Sequence, residues 1–150
     1  MADYWKTIDT ILMGRKTYSV SVALRSPKKQ KRATSPKAKV PAIRTYVFSR
    51  TLPPTGEPGV EVVTDDAGAF VRNLKQQSGK DICLMGGGEL AQSLLNAGVV
   101  DKVGLNIHPV LLGTGIPAFR DPGHRVSLRL TECRRLDGGC ILADYEVLKA

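Results

Sequence analysis

A short apolar run near the start of the chain, Thr10–Met13, is followed directly by Gly14, Arg15, Lys16 and Thr17. A strand that ends in glycine and passes straight into a helix leaves backbone N–H groups without partners. Those donors, together with the helix dipole, make an anion site. Arg15 and Lys16 would add positive charge there, and Thr17 a hydroxyl. The segment therefore predicts a phosphate site, with a plain surface turn as the alternative.

A second strand end carries the same kind of side chains. The apolar residues Tyr46–Phe48 lead into Ser49, Arg50 and Thr51. A guanidinium presents a planar fork of donors to phosphate oxygens, and a neighbouring hydroxyl can add another hydrogen bond. This strand end is suited to a phosphomonoester.

The third strand end is the triple glycine Gly86, Gly87 and Gly88, which follows the apolar strand Asp81–Met85. Without side chains, these positions let a ligand approach the backbone closely. Glu89 stands in the first turn of the following helix, where its charge complements the dipole. Each of the three strand ends alone is more often a tight turn than a ligand site. Together they predict a dinucleotide, with two of them on its pyrophosphate and the third on an adenosine 2′-phosphate.

Two competing phosphate motifs are excluded. The residues Gly86–Ala91 satisfy G-x-G-x-x-A, the fingerprint of the Rossmann fold. That fold also requires an acidic residue at the end of the next strand to hold the ribose, and residues 102–113 contain none. A Walker loop would require G-x-x-x-x-G-K-[ST], which the chain lacks.

Hydrophobic periodicity indicates alternating helices and strands that would position these residues. Helices are predicted over Asp3–Ile8, Arg15–Leu24 and Gly87–Ala97. A further helix is predicted to begin after an N-cap residue within 64–66 and to end at about Gln77. Strands are predicted over Thr10–Met13, Arg44–Ser49, Val60–Thr64, Asp81–Met85, Lys102–Leu111, Arg125–Arg135 and Cys140–Leu148. This order favours an α/β fold with a mostly parallel sheet and a C-terminal antiparallel hairpin. In such sheets ligands bind outside the carboxyl ends of the strands.

The chain has three cysteines, an odd number with no spacing typical of metal ligands. Two of them flank a hairpin turn that is predicted to have two residues, Asp137–Gly138. With that turn Cys133 faces Leu142 and Cys140 faces Arg135, so the two thiols are not opposite each other. Free thiols in a reducing cytoplasm and no metal site are the expectation.

The charge distribution bears on nucleic-acid binding. The 150 residues, enough for a single domain, carry a net charge of +8. Residues 25–44 hold eight Lys and Arg, three prolines and no acid, which leaves 14 bases against 14 acids elsewhere. Such a segment is predicted to be a mobile, solvated loop. A nucleic-acid contact there is the least favoured function, because the segment has no aromatic residue to stack on a base. No apolar run reaches membrane-spanning length.

The order MGRKTY, VFSRT, MGGGEL and HPVLLGTGIPAF resembles the dihydrofolate reductase-like superfamily. It is similar in particular to the reductase domain of riboflavin biosynthesis and its stand-alone relatives. The resemblance extends from Tyr4 to the final hairpin. It implies a three-layer fold with helices on both faces of the sheet, NADPH as cofactor, and a homodimer.

The resemblance also implies roles for individual residues. The segment Gly14–Thr17 would bind the cofactor's phosphates, and Ser49–Thr51 the adenosine 2′-phosphate. The glycines Gly86–Gly88, with Glu89 and Leu90 at the start of the next helix, would hold the pyrophosphate. No catalytic acid is identified, because the family's substrate-facing segment has no counterpart here.

The family's substrate-facing segment is a strand with the pattern S-x-D-G-x-x-A. In family members this strand comes before the residues that match Asp3 and those after it. In the family it lies in the middle of the sheet, which corresponds here to a place between Asp81–Met85 and Lys102–Leu111. Met1 is therefore expected to be an internal start or the start of a clipped chain; the alternatives are that another segment or chain fills the gap or that the sheet is rearranged. The basic loop 25–44 is also longer than the family pattern implies.

Two functions follow from the resemblance. The first is an NADPH-dependent reductase that transfers a hydride to a small heterocyclic or carbonyl substrate, with 5-amino-6-(5-phosphoribosylamino)uracil as the family's best-known example. The alternative is a nucleotide-binding relative that lacks the substrate-facing strand and has impaired turnover. The substrate itself is not specified by the sequence.

Overall fold

The computed structural model describes residues 4–25, 43–119 and 123–149. The helices are α1 (Tyr4–Thr7), α2 (Arg15–Arg25), α3 (Ala67–Leu74) and α4 (Gly88–Asn96). The strands are β1 (Ile8–Gly14), β2 (Arg44–Phe48), β3 (Val60–Val63), β4 (Asp81–Leu84), β5 (Lys102–Ile107), β6 (Leu128–Arg135) and β7 (Ile141–Val147). Most of the basic segment predicted to be mobile, residues 26–42, lies outside the described residues.

The strands form two sheets. The parallel sheet has the order β3-β2-β1-β4, and the antiparallel sheet has the order β5-β7-β6. Apolar β1 lies in the interior of the parallel sheet, and the crossover through α2 returns the chain to β2 beside it. The predicted α/β class, with parallel strands and a C-terminal antiparallel hairpin, is confirmed.

Helices cover both faces of the parallel sheet. Because successive side chains of a strand point to opposite faces, β1 contributes to two cores. Leu12 packs with residues of α3 and α4, including Val71 and Leu94. On the other face Ile11 packs with Tyr18 of α2. This is the three-layer arrangement that the resemblance implied.

The boundary between the sheets falls between β4 and β5. In the part of the chain that the structure describes, β4 pairs with β1 and β5 pairs with β7, and neither strand has a partner on its other side. This is the place where the family resemblance puts a further strand. At the edge of β4 the Tyr4 hydroxyl of α1 donates a hydrogen bond to the Cys83 sulfur at 3.2 Å.

Two elements end earlier than predicted. Strand β5 stops at Ile107 instead of continuing to Leu111, because Pro109 has no N–H to donate to a strand ladder. The backbone instead turns, with the Val110 N–H donating to the carbonyl of His108 at 2.8 Å. Helix α3 ends at Leu74, and the residues up to Gln77 continue it only as tighter turns with i to i−3 hydrogen bonds.

The predicted two-residue hairpin turn is wrong. The Leu136 N–H donates to the carbonyl of Cys140 at 2.8 Å, so the loop between β6 and β7 has three residues, 137–139. Gly138 and Gly139 both adopt positive φ, 77° and 79°, which allows this longer loop. Cys133 consequently pairs with Ala143 instead of Leu142, and Cys140 lies opposite Leu136 instead of Arg135. The thiols are free, as expected.

Candidate functional site

The three strand ends singled out in the sequence lie side by side at one edge of the parallel sheet. Strand β1 runs between β2 and β4, with Gly14 in register with Phe48. On the other side the Met85 N–H donates to the carbonyl of Leu12 at 2.9 Å. Parallel strands bring their carboxyl ends to the same edge, so the residues after Gly14, Phe48 and Met85 emerge together.

The first and third of these strand ends are in contact. A Cβ atom placed on Gly86 would lie 3.5 Å from Cγ2 and 3.6 Å from Oγ1 of Thr17. A Cβ atom on Gly87 would lie 3.7 Å from Oγ1 of Thr17 and 3.9 Å from the backbone nitrogen of Gly14. We call the space bounded by these four residues the phosphate cleft. Gly86 and Gly87 have φ values of 74° and 101°, which favour glycine whether or not there is space for a side chain.

Backbone donors of α4 begin at the phosphate cleft. Gly87 is the N-cap residue and provides no side-chain cap, and the Ala91 N–H makes the first hydrogen bond of the helix, to the Gly87 carbonyl at 2.9 Å. The N–H groups of the first turn, on Gly88, Glu89 and Leu90, precede that bond and have no acceptor within the helix. The Leu90 side chain is buried in the core, so its predicted contact with a phosphate can involve only the backbone.

The basic side chains at this edge carry uncompensated charge. Arg15 and Lys16 are exposed in the first turn of α2, which contains no acidic residue. Arg50 is exposed immediately after β2. Within the described ranges, none of the three takes part in an ion pair. A helix N-terminus with positive side chains and no nearby acid in its first turn attracts anions.

Ser49 holds the turn that carries Arg50. Its hydroxyl oxygen accepts hydrogen bonds from the N–H of Thr51 at 3.2 Å and of Leu52 at 3.0 Å, while its own N–H donates to the Val63 carbonyl at 3.0 Å. The hydroxyl hydrogen is left to donate to an anion. Sequence reasoning identified Ser49 as a phosphate contact but missed this second role, which requires knowing that the chain folds back there.

The segment after β5 forms a wall beside the start of α4, and sequence reasoning assigned it no role. A Cβ atom on Gly88 would lie 3.2 Å from the carbonyl oxygen of Ala118 and 3.3 Å from that of Pro117. Residues 112–117 line a shallow, open depression of about 270 Å³. A side chain at Gly88 would crowd these carbonyl oxygens, so the third glycine allows this segment to pack closely against α4. The sequence feature that could have indicated this packing is HPVLLGTGIPAF, because its apolar residues continue beyond the end of the strand.

Two carboxylates near strand ends serve the fold. Asp9 accepts hydrogen bonds from the Lys80 N–H and the Thr10 hydroxyl, both at 2.8 Å, and the backbone hydrogen bond from Lys80 is the main cause of its lowered pKa. Partial burial would raise the pKa of Asp101, but the hydrogen bond and charge of Lys75 outweigh this and lower it. Both side chains are structural, as turn or cap residues would be.

Other features of the molecule lie away from the predicted site. A polar groove of about 690 Å³ runs along the antiparallel sheet and includes Lys102, Glu132, Asp144 and Glu146, but none of the predicted site residues. Across residues 4–25, 43–119 and 123–149, no three His, Cys, Asp or Glu side chains are grouped so that they could hold a metal ion. None of the helices in these ranges is both long and apolar enough to cross a membrane.

The donors at the edge of the parallel sheet fit a phosphorylated dinucleotide. The phosphate cleft is open to solvent at Gly86 and Gly87, lies beside the first turn of α4, and is flanked by Arg15 and Lys16. One strand away, Arg50 and the Ser49 hydroxyl form a separate group of donors. Two groups of anion donors on adjacent strands match a pyrophosphate and a second phosphate.

Comparisons with known proteins agree with this fold. A family model described as the RibD C-terminal domain matches residues 1–142. YyaP of Bacillus subtilis (strain 168), itself described as uncharacterized, is 35% identical over 145 residues, which are 95% of this chain and 76% of YyaP.

Two solved structures have the same fold at low sequence identity. One, from Shewanella sp. PV-4 and described as a riboflavin biosynthesis protein, superposes with a TM-score of 0.78 at 20% identity and covers 99% of this chain and 79% of its own. The other is a diaminohydroxyphosphoribosylaminopyrimidine deaminase/5-amino-6-(5-phosphoribosylamino)uracil reductase from Thermotoga maritima. It has a TM-score of 0.64 at 16% identity, with 97% of this chain and 47% of that chain covered.

Proposed function

Since the chain belongs to the RibD C-terminal domain family, we propose that it is an NADPH-dependent reductase of the riboflavin-biosynthesis type. The observation that supports this most is the convergence, at adjacent strand ends, of the glycine-lined phosphate cleft and three bases without ion-pair partners in the described ranges. Such an arrangement has no packing purpose, because exposed like charges at one edge repel each other.

In this proposal the cofactor is held by its phosphates. The pyrophosphate lies in the phosphate cleft, where it accepts hydrogen bonds from the first turn of α4 and from the Thr17 hydroxyl and is neutralised by Arg15 and Lys16. The adenosine 2′-phosphate is bound by Arg50, with the Ser49 and Thr51 hydroxyls as additional donors. When bound, NADPH supplies a hydride; the residues named here fix its position and its 2′-phosphate selectivity.

The substrate in this proposal is a small heterocycle or carbonyl compound. The Thermotoga maritima neighbour carries the name of a 5-amino-6-(5-phosphoribosylamino)uracil reductase, and we extend that substrate class to this chain as the first to assay. A cytoplasmic location is part of the proposal, and it fits three cysteines that are all unpaired.

We also propose that the protein is a homodimer through one face of the antiparallel sheet. The register of the sheet puts the following side chains on that face, which we call the apolar face: Leu105, Ile107, Leu128, Leu130, Ile141 and Tyr145. Leu130 is 54% and Ile107 46% exposed. Apolar residues grouped in this way on one sheet face favour burial against another surface.

The decisive test is a titration of the purified chain with NADPH and NADH, followed by nicotinamide fluorescence and by melting temperature. We expect binding of NADPH with a raised melting temperature, and Arg50→Ala should weaken NADPH about tenfold or more while NADH is nearly unchanged. Arg125→Ala, also an exposed arginine without an ion pair in the described ranges, is the matched control. Equal losses for both cofactors would remove Arg50 from the 2′-phosphate site, and a folded chain that binds neither would overturn the proposed function.

The alternative function, a nucleotide-binding relative without turnover, is favoured by the edges of β4 and β5 that no other described strand pairs with. It predicts the same binding curves but no consumption of NADPH with any pyrimidine or carbonyl substrate. Steady consumption of NADPH with 5-amino-6-(5-phosphoribosylamino)uracil would exclude it.

A further inference from the structure

A thiol and an imidazole meet at the end of the antiparallel sheet that is closest to the hairpin loop. The last pair of the ladder between β5 and β7 is Ile107 with Ile141. Continuing that register by one residue brings His108 opposite Cys140. Their side chains are in contact, with 3.3 Å between the Cys140 sulfur and Nδ1 of His108. This distance is that of a hydrogen bond to or from sulfur.

The backbone holds both residues in place. On one side the Cys140 carbonyl accepts the N–H of Leu136 at 2.8 Å, which closes the hairpin loop. On the other side Pro109 packs against the loop, since a Cβ atom on Gly139 would lie 3.6 Å from the Pro109 ring. The thiol–imidazole contact is therefore a product of sheet register and a rigid proline. It is not a chance meeting of two long surface side chains.

We propose that Cys140 is a reactive thiol, activated by His108, that exchanges with low-molecular-weight disulfides. In the tautomer that carries its proton on Nε2, Nδ1 of His108 accepts the thiol proton. The sulfur then attacks one sulfur of the disulfide, whose S–S bond breaks as the new mixed disulfide forms. The departing thiolate takes the proton from the imidazolium. One disulfide is exchanged for another, so no further oxidant is required.

The other two cysteines lack this activation. Cys83 accepts a hydrogen bond from the Tyr4 hydroxyl, which is a donor and not a base. Cys133 is more exposed than Cys140, but no described residue gives it a hydrogen bond. Exposure alone therefore predicts that Cys133 reacts first, whereas a basic neighbour predicts that Cys140 reacts first.

The two thiols also lie on opposite faces of the sheet. Cys133 pairs with Ala143 and shares the apolar face, whereas Cys140 alternates with Ile141 and lies on the polar face. A homodimer through the apolar face would cover Cys133 and leave Cys140 open. Slow reaction of Cys133 in the folded protein could then result from burial in the dimer. The reaction rate of each thiol in the folded protein is therefore compared with the rate of the same thiol in the unfolded chain.

The experiment measures the rate at which each cysteine forms a mixed disulfide with glutathione disulfide, by mass spectrometry of peptides after quenching. We expect Cys140 to react about tenfold or more faster in the folded protein than in guanidinium chloride, while Cys133 does not gain from folding. His108→Asn should reduce the folded rate of Cys140 to that of the unfolded chain and leave Cys133 unchanged. Cys133→Ser, the control, should leave the Cys140 rate intact.

Circular dichroism and melting temperature establish that each variant is folded before rates are compared. The proposal is overturned if folding slows Cys140, or if a folded His108→Asn variant reacts at Cys140 as fast as the parent. Neither outcome depends on cofactor binding, so the test stands apart from the proposed reductase function.

Discussion

The two sheets of this molecule are built on different principles. The parallel sheet carries its own core: Leu12, Tyr46 and Val47 are buried, and helices cover both faces. In the antiparallel sheet every residue of β6 is exposed, and within the described residues neither core cluster includes a buried residue from β5, β6 or β7. Its strands are held by ladder hydrogen bonds and by surface ion pairs such as Arg129–Glu146. The first sheet is packed on both faces and can support a rigid site, and the second has surface left to bury.

The largest expected effect contrasts one leucine from each sheet. Leu12→Ala, at a position only 2% exposed, removes a side chain from the centre of a core and should destabilise the protein by about 2–5 kcal/mol. Leu130→Ala, at 54% exposed, should cost less than about 1 kcal/mol in the monomer. Urea unfolding at low protein concentration measures both. If both variants lose the same free energy of unfolding, the antiparallel sheet is buried in solution and the two sheets do not differ in this respect.

A charge on the apolar face tests whether a second copy covers it. Leu130→Glu should weaken self-association at least about tenfold, because a carboxylate would have to be buried without a partner. Val20→Glu, on the exposed side of α2, is the control and should leave association unchanged. Sedimentation velocity across a concentration series gives the result. If the parent protein is monomeric at every concentration, the proposal of a homodimer is wrong.

The phosphate cleft is tested by adding one methyl group. Gly86→Ala places a Cβ atom within 3.6 Å of the Thr17 hydroxyl in a backbone conformation with φ of 74°. It should cost about 1 kcal/mol of stability through strain and weaken NADPH about tenfold by blocking the backbone. Gly113→Ala has nearly the same φ, 71°, but open space around it, so it should lose stability without losing affinity. If both variants bind NADPH as the parent does, the cleft is not the pyrophosphate site.

The smallest expected effect concerns Asp9, which joins β1 to the residue before β4. Its folded pKa is lowered from 3.8, so its stabilising contribution is present above the unfolded value and is lost as pH falls through the folded one. Asp9→Asn should therefore destabilise the protein at pH 7, by less than about 1 kcal/mol because solvent screens the carboxylate, with the difference from the parent shrinking below pH 3.8. Urea unfolding at pH 7 and near pH 3 checks this, with Asp65→Asn as the exposed control. A difference that is the same at both pH values would show that the carboxylate charge is not responsible.

The contrast between the sheets also explains what could be read from the sequence. The order of elements and the meeting of the three strand ends at one edge of the sheet were predictable, because apolar runs such as Thr10–Met13 followed by glycine mark a buried parallel strand locally. Adjacency of β1 and β2 agrees with the tendency of successive strands to lie side by side, whereas the pairing of β4 with β1 is not fixed by that rule. The position of the candidate site could be predicted because its residues follow strands that are marked by local patterns; its binding of phosphate stays a prediction.

The antiparallel sheet was less predictable, because its register depends on turn length and distant pairing. Asp137–Gly138 suits a two-residue turn, but Gly139 also tolerates positive φ, and the longer loop moves the partners of residues 132–135 by one residue. An irregularity between Leu130 and Glu132 then restores the register for residues 128–130. The contact between His108 and Cys140 arises from the pairing of β5 with β7, which are separated by more than thirty residues in the chain. No local pattern in the sequence contains that information.

The junction between β1 and α2 has no connecting residue, since the strand ends at Gly14 and the helix begins at Arg15. One inserted residue there would rotate the helix by about 100° and carry Tyr18 out of the core. The connection from β2 to β3, residues 49–59, offers many more places where length can change. Over evolution the end of the site proposed for the pyrophosphate is therefore expected to keep its length, while the end proposed to select the 2′-phosphate is free to vary.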